Sequence, residues 1–210
     1  MKILLTVILL SSIVAAQNTY NVQPGVKKNQ IILELSNISS TESATNLQVK
    51  LIKDSQNLTF NQTEKLIENI TKGTETEAIF NFNVNYNIGK TEVDTIEFLI
   101  TDSKSIYQTK QFILQYSVTT EYKLEQNYPN PFNPSTKIRF SIPDLGTGLA
   151  MSVLKVYDIL GNEVTTLVNE QKQPGYYEVD FNASQFASGV YIYRLQSGTF
   201  TSTKKMMMLR

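Results

Sequence analysis

Apolar residues recur at every second position through much of this chain. Ile31, Leu33 and Leu35 stand in one such row, and Leu47, Val49 and Leu51 in the next. Phe80, Phe82, Val84 and Tyr86 then alternate strictly with Asn81, Asn83, Asn85 and Asn87. Ile96, Phe98 and Ile100 follow, and Phe112, Leu114, Tyr116 and Val118 close the series. Successive side chains of a strand point to opposite faces, so a period of two predicts half-buried strands with one apolar and one polar side. Turn-rich clusters at Ser36–Ser40 and Asp102–Ser105 separate the rows. Residues 21–118 therefore read as an antiparallel β-sandwich. One stretch, Glu64–Ile70, stays open between a short helix and an irregular strand. The asparagine row reads as the wet face of a sheet.

The second half has shorter rows and sharper turns. Lys137–Ile142 is a strand that Pro143 ends. In Met151–Asp158, Leu154 and Val156 share one face, Val153 and Tyr157 the other. Asp158-Ile159-Leu160-Gly161-Asn162-Glu163 turns the chain, with Gly161 suited to positive φ. Val164–Val168 returns, and Pro174-Gly175 makes the next turn. Tyr177, Val179 and Phe181 alternate again, Asn182–Gly189 is a capped loop, and Val190–Leu195 is a tyrosine-rich strand. Ser197-Gly198 is a hairpin turn before a last strand within Thr199–Leu209. Residues 137–210 thus predict a second β-sandwich of about seven short strands.

Between the halves lies Asn127-Tyr128-Pro129-Asn130-Pro131-Phe132-Asn133-Pro134-Ser135-Thr136, which holds three of the six prolines. Each proline fixes φ and pushes its predecessor into extended geometry, so neither a helix nor a central strand fits. Asn130 and Asn133 suit turns closed by their own side chains, and Tyr128 and Phe132 read as apolar anchors. Composition makes residues 119–136 a linker. The sharper alternative is the entry segment of a specific C-terminal module.

The first sixteen residues read as a secretory signal peptide. Lys2 supplies the positive end, Ile3–Leu10 with Ile13 and Val14 the apolar core, and Val14-Ala15-Ala16 the small residues at a cleavage site between Ala16 and Gln17. The run is shorter than the ~20 apolar residues of a membrane-spanning helix, and Ser11-Ser12 interrupts it.

Composition narrows the chemistry. The 210 residues are 41% hydrophobic and 18% charged, with 19 basic against 19 acidic side chains. A nucleic-acid binder would show a basic excess or stripe, and there is none. There is no Cys and no His. That excludes thiol nucleophiles, Ser-His-Asp triads, thiolate or imidazole zinc sites and disulfides. The carboxylates are spread along strand-like segments rather than paired. No catalytic, cofactor-binding or metal-ligating residues are expected, and the protein is expected not to be an enzyme.

Two resemblances add to this reading. Asn37 with Ser39-Ser40, Leu47-x-Val49-x-Leu51, Gly73 and Ile96-x-Phe98-x-Ile100-x-Asp102 resemble the CARDB/NEW3-like immunoglobulin-like modules of bacteria. These imply an immunoglobulin-like sandwich acting as a surface adhesion or spacer unit. A carbohydrate-binding accessory module, or the C-terminal remnant of a larger secreted hydrolase, is the alternative.

The second resemblance is to the type A C-terminal sorting domain of the type IX (Por) secretion system. It is carried by Asn127, Tyr128, Pro129, Asn130, Pro131, Phe132, Asn133 and Pro134, then by Leu154-Lys155-Val156-Tyr157-Asp158 with Gly161 and Val164. Pro174-Gly175-Tyr176, Ala187-Ser188-Gly189-Val190-Tyr191-x-Tyr193-Arg194-Leu195, and Lys204-Lys205 before Met206–Leu209 complete it. The resemblance implies export through the periplasm, an outer-membrane translocon and a sortase-like peptidase as partners, and possible joining to lipopolysaccharide. The passenger would be secreted or held at the cell surface. An unpaired edge on the last strand is the expected docking element.

Overall fold

The structure is a computed structural model that describes residues 2–8, 19–89, 93–102, 106–146 and 148–209. Every regular element among them is a β-strand, and the chain divides into two compact units.

The first unit comprises Met1–Asn85 and Glu92–Ser117. It opens with β1 (Lys2–Ile8), β2 (Thr19–Val22), β3 (Asn29–Ser36) and β4 (Ala44–Lys53). β5 (Leu58–Phe60), β6 (Glu64–Ile70) and β7 (Glu75–Val84) follow. The two-residue β8 (Ile88–Gly89) belongs to the second unit, after which β9 (Val93–Thr101) and β10 (Tyr107–Tyr116) return to the first. One sheet runs β1-β3-β7-β5 and the other β2-β10-β9-β4-β6. β1 lies parallel to β3 and β2 parallel to β10; the remaining pairs are antiparallel. The expected processing positions Ala16 and Gln17 lie outside the described residues.

The alternating rows build this unit's core. Ile31, Leu33 and Leu35 on β3 and Ile96, Phe98 and Ile100 on β9 are fully buried. The Phe80 and Phe98 rings, one from each sheet, stand 4.6 Å apart. Each such side chain contributes about 1.5–3 kcal/mol through burial. Glu64–Ile70 is a strand: it pairs with β4 at the sheet edge, with Ile70 buried and the charged Glu64 and Glu68 exposed, as edges favour. In the asparagine row, Asn81 Oδ1 accepts from Gln30 Nε2 of the neighbouring strand at 3.0 Å, and Asn83 Oδ1 accepts from the Lys28 N–H at 2.9 Å.

The second unit comprises Tyr86–Thr91 and Val118–Arg210. Its strands besides β8 are β11 (Lys123–Leu124), β12 (Ser135–Ile142), β13 (Ala150–Tyr157) and β14 (Glu163–Lys172). β15 (Gly175–Asn182), β16 (Gly189–Ser197) and β17 (Phe200–Met208) complete it. The sheets run β11-β12-β15-β8 and β14-β13-β16-β17 and share one core. Ile138 and Phe140, Leu154 and Val156, Tyr193 and Leu195, and Met206 are all fully buried there. Among the described residues the range 137–210 holds six strands, β12 to β17, against about seven expected, and β11 and β8 join one of the two sheets from outside it. Strands of two residues carry no periodic signal.

Candidate functional site

The proline-rich segment is stitched to the last strand and to the core beneath it. Asn127 is buried, 2% exposed. Its backbone N–H donates to the Tyr193 hydroxyl at 2.8 Å, and that hydroxyl donates to the Glu125 carbonyl at 2.8 Å. The Asn127 side-chain amide donates to the Pro129 carbonyl and to Thr136 Oγ1, each at 3.0 Å. Thr136 Oγ1 in turn donates to Pro129 O at 2.8 Å, so both ends of the segment bond the same carbonyl. The bonds preceding Pro129, Pro131 and Pro134 are cis.

The expected free edge of the last strand is covered over its C-terminal half. Gln126 Nε2 donates to the Lys205 carbonyl at 2.8 Å, and the Met207 N–H donates to Asn130 Oδ1 at 2.9 Å. The Phe132 N–H donates to the Met207 carbonyl and the Leu209 N–H to the Phe132 carbonyl, both at 3.0 Å. The entry segment thus takes the place of a neighbouring strand, with a parallel bridge at Phe132 and Met208.

Of the two expected anchors, only Phe132 is one. It is 2% exposed and packs against Phe181 at 5.9 Å, whereas Tyr128 is 79% exposed. The Tyr128 backbone exchanges a pair of bonds with Lys137, both at 3.0 Å, and its side chain stands in solvent. Asn133 and Pro134 are exposed.

The other motif residues fall in two places. Gly189 and Tyr191 on β16 register with Met208 and Met206, joining the Phe132 side of the core. Tyr191 donates its hydroxyl to the Ala187 carbonyl at 2.6 Å. Lys204 pairs in register with Tyr193, and Lys205 is exposed. Asp158 and Gly161 close the β13–β14 turn. Asp158 Oδ1 accepts from the N–H groups of Leu160 and Asn162, and Oδ2 from the Asn162 amide, all at 2.9 Å. The Asn162 side chain, with these backbone groups, holds the Asp158 carboxyl below its ordinary range. The turn holds out Ile159 and Leu160, 70% and 82% exposed.

Sequence reasoning missed β8. It pairs with the start of β15 at Gly89↔Gly175 and Ile88↔Tyr176. Gly175 has φ +156°, and a Cβ there would stand 2.9 Å from the Ile88 carbonyl oxygen. Beside it, Glu178 binds Lys137 at 2.5 Å and Arg139 at 2.7 Å, and Arg139 lies 4.8 Å over the Tyr86 ring. Partial burial pushes the Glu178 carboxyl up, and the bonds from Lys137 and Arg139 outweigh it, leaving the group below its ordinary value. The signal available in the sequence was the Pro174-Gly175 pair, which marks a turn and not a close backbone approach.

Fold and site together define an all-β protein whose second unit is a two-sheet module sealed by its own entry segment. Residues 126–209 match the family of secretion system C-terminal sorting domains. A comparison with curated proteins gives no match. Among solved structures, the chain is similar to dimeric latent PorU from Porphyromonas gingivalis, with 14% identity and a TM-score of 0.34 over 96% of this chain. It spans 19% of that chain's length. It is similar to the calcium binding domain CBD12 of CALX1.1 at 8% identity and TM-score 0.35, covering 85% of this chain and 77% of that one. The YadV chaperone gives 8% identity and TM-score 0.31, covering 91% of this chain and 98% of the other.

Proposed function

We propose that the second unit is an export address read by the type IX secretion machinery, within a non-enzymatic protein whose first unit, from Gln17 onward, is the passenger. The observation that carries this reading is the family match over residues 126–209. Residues 1–16 act as a secretory signal, cleaved between Ala16 and Gln17, and bring the chain to the periplasm. An outer-membrane translocon then engages the second unit, and a sortase-like peptidase removes it, with release of the passenger or its joining to lipopolysaccharide. The first unit is an immunoglobulin-like sandwich of the CARDB/NEW3 kind and serves as a surface adhesion or spacer module. Its paired sheets, with buried Phe80 and Phe98 between them, support that reading.

The test is cell fractionation with mass spectrometry, in the native host and in a strain lacking the type IX translocon. The expected result is a protein starting at Gln17 that moves from surface or medium to periplasm in the mutant. An unchanged location in the mutant would overturn the address.

A further inference from the structure

The outer face of the sheet β14-β13-β16-β17 sets two cations side by side. Lys155 and Arg194 are register partners across β13 and β16. Like charges directly opposite on one face are destabilising. Folding does not require them, because the alternate residues Leu154, Val156, Tyr193 and Leu195 make the core. Each cation has one neighbour. Lys155 Nζ meets Glu163 Oε2 at 2.8 Å. The Arg194 guanidinium lies 4.9 Å over the Tyr157 ring and donates to the Tyr157 hydroxyl at 2.7 Å. Among the described residues, Arg194 has no carboxylate partner.

These side chains line a recess of about 280 Å³ together with Val153, Asn169 and Gln196. The side chains of Asn169 and Gln196 are exposed, so their amides are open to solvent and to a ligand. One small, polar recess therefore gathers a guanidinium without a carboxylate partner, an ammonium shared with Glu163 and two solvent-exposed amides.

We propose that this recess binds an acidic sugar, a hexose bearing a carboxylate or phosphate group. The oxyanion sits between Lys155 Nζ and the guanidinium fork of Arg194, whose planar N–H groups match two oxygens at once, and it relieves the repulsion between the two cations. The Asn169 and Gln196 amides, which both donate and accept, take the ring hydroxyls. The volume lies at the low end of the ~300–1,000 Å³ typical of ligand sites, which suits a single ring rather than a chain. Val153 is the one apolar residue of the lining, so an apolar ligand has little to gain there. This site does not rest on the export reading.

The full chain is titrated with glucuronate and with glucose 6-phosphate at fixed ionic strength, following backbone amide resonances. Glucose and inorganic phosphate are the controls. Saturable shifts are expected at residues 155, 157, 169, 194 and 196 with either acidic sugar, weaker ones with phosphate and none with glucose. Arg194→Gln should weaken binding about tenfold, the loss expected from one charge-assisted contact, and Lys155→Gln by a similar factor. Both variants should stay folded with melting temperatures close to the parent's, because each relieves a like-charge neighbour and loses one surface contact, with Glu163 or with Tyr157. No saturable shift at these residues, or unchanged affinity in both variants, would overturn the site. Inorganic phosphate binding as tightly as the sugars would overturn the sugar.

Discussion

The hydroxyl of Tyr193, buried on β16, accepts the backbone N–H of Asn127 at 2.8 Å. The same hydroxyl donates to the Glu125 carbonyl, so one side chain terminates two backbone groups where the chain enters the second unit. Tyr193→Phe keeps the ring and its packing but orphans both groups. An unsatisfied buried donor costs about 1–3 kcal/mol. Urea denaturation should show a loss of that size with an unchanged m-value. A change below about 0.5 kcal/mol would mean that water replaces the hydroxyl.

Alkaline pH should loosen the same unit. Burial pushes the Tyr193 phenol up to about 12, against the lowering effect of the bond from the Asn127 N–H. Burial also raises Tyr86 and Tyr177, helped by Glu125 and Glu170 respectively. An unfolded tyrosine ionises near 10. Above that pH the unfolded chain releases these protons while the folded chain keeps them, so folding stability falls as pH rises. The contribution is fully present below pH 10 and, for Tyr193, lost by about 12. Melting temperatures taken across pH 9–12 (roughly the window set by the phenol values) should decline, and Tyr193→Phe should decline less steeply.

Two glycines with positive φ separate strain from crowding. Gly161 has φ +86° with open space around it, whereas Gly175 has φ +156° and the Ile88 carbonyl in the way. Gly161→Ala should cost about 1 kcal/mol, the ordinary backbone penalty. Gly175→Ala should cost more, about 2–3 kcal/mol, because backbone must also move. Hydrogen exchange should speed up along β8 and the first residues of β15 in Gly175→Ala alone. Equal losses in the two variants would mean that the β8 contact adds nothing.

The parts of this molecule legible in the sequence are those that depend on neighbours along the chain. Leu154 and Val156 face inward and Lys155 and Tyr157 outward because a strand allows little else. Asp158 and Gly161 close their turn through bonds spanning four residues or fewer. What stayed hidden depends on partners far away. Tyr128 and Phe132 look alike as aromatic residues in a proline ribbon, but only Phe132 finds a pocket, made by Phe181 from β15. Asn130 looks like a turn residue, and its oxygen instead caps the Met207 N–H, so the C-terminal half of the last strand lacks the free edge its position suggests. β8 and β11 are two residues each, too short for any period to show.

That difference between Tyr128 and Phe132 distinguishes a segment needed for folding from one that is read by a partner. Phe132→Ala removes a ring that is 2% exposed and should cost about 3–5 kcal/mol, opening the cover over β17 and lowering the melting temperature. Export should fail with it for want of a folded module. Tyr128→Ala removes a side chain that is 79% exposed, and stability should stay within about 0.5 kcal/mol of the parent. If the machinery reads the entry segment directly, Tyr128→Ala should leave a folded protein stranded in the periplasm, seen by fractionation with limited proteolysis as the check on folding. If Tyr128→Ala is exported as well as the parent, the exposed ring is not part of what is recognised, and the segment serves export through its stitching of Asn127 and Phe132 to the core and last strand.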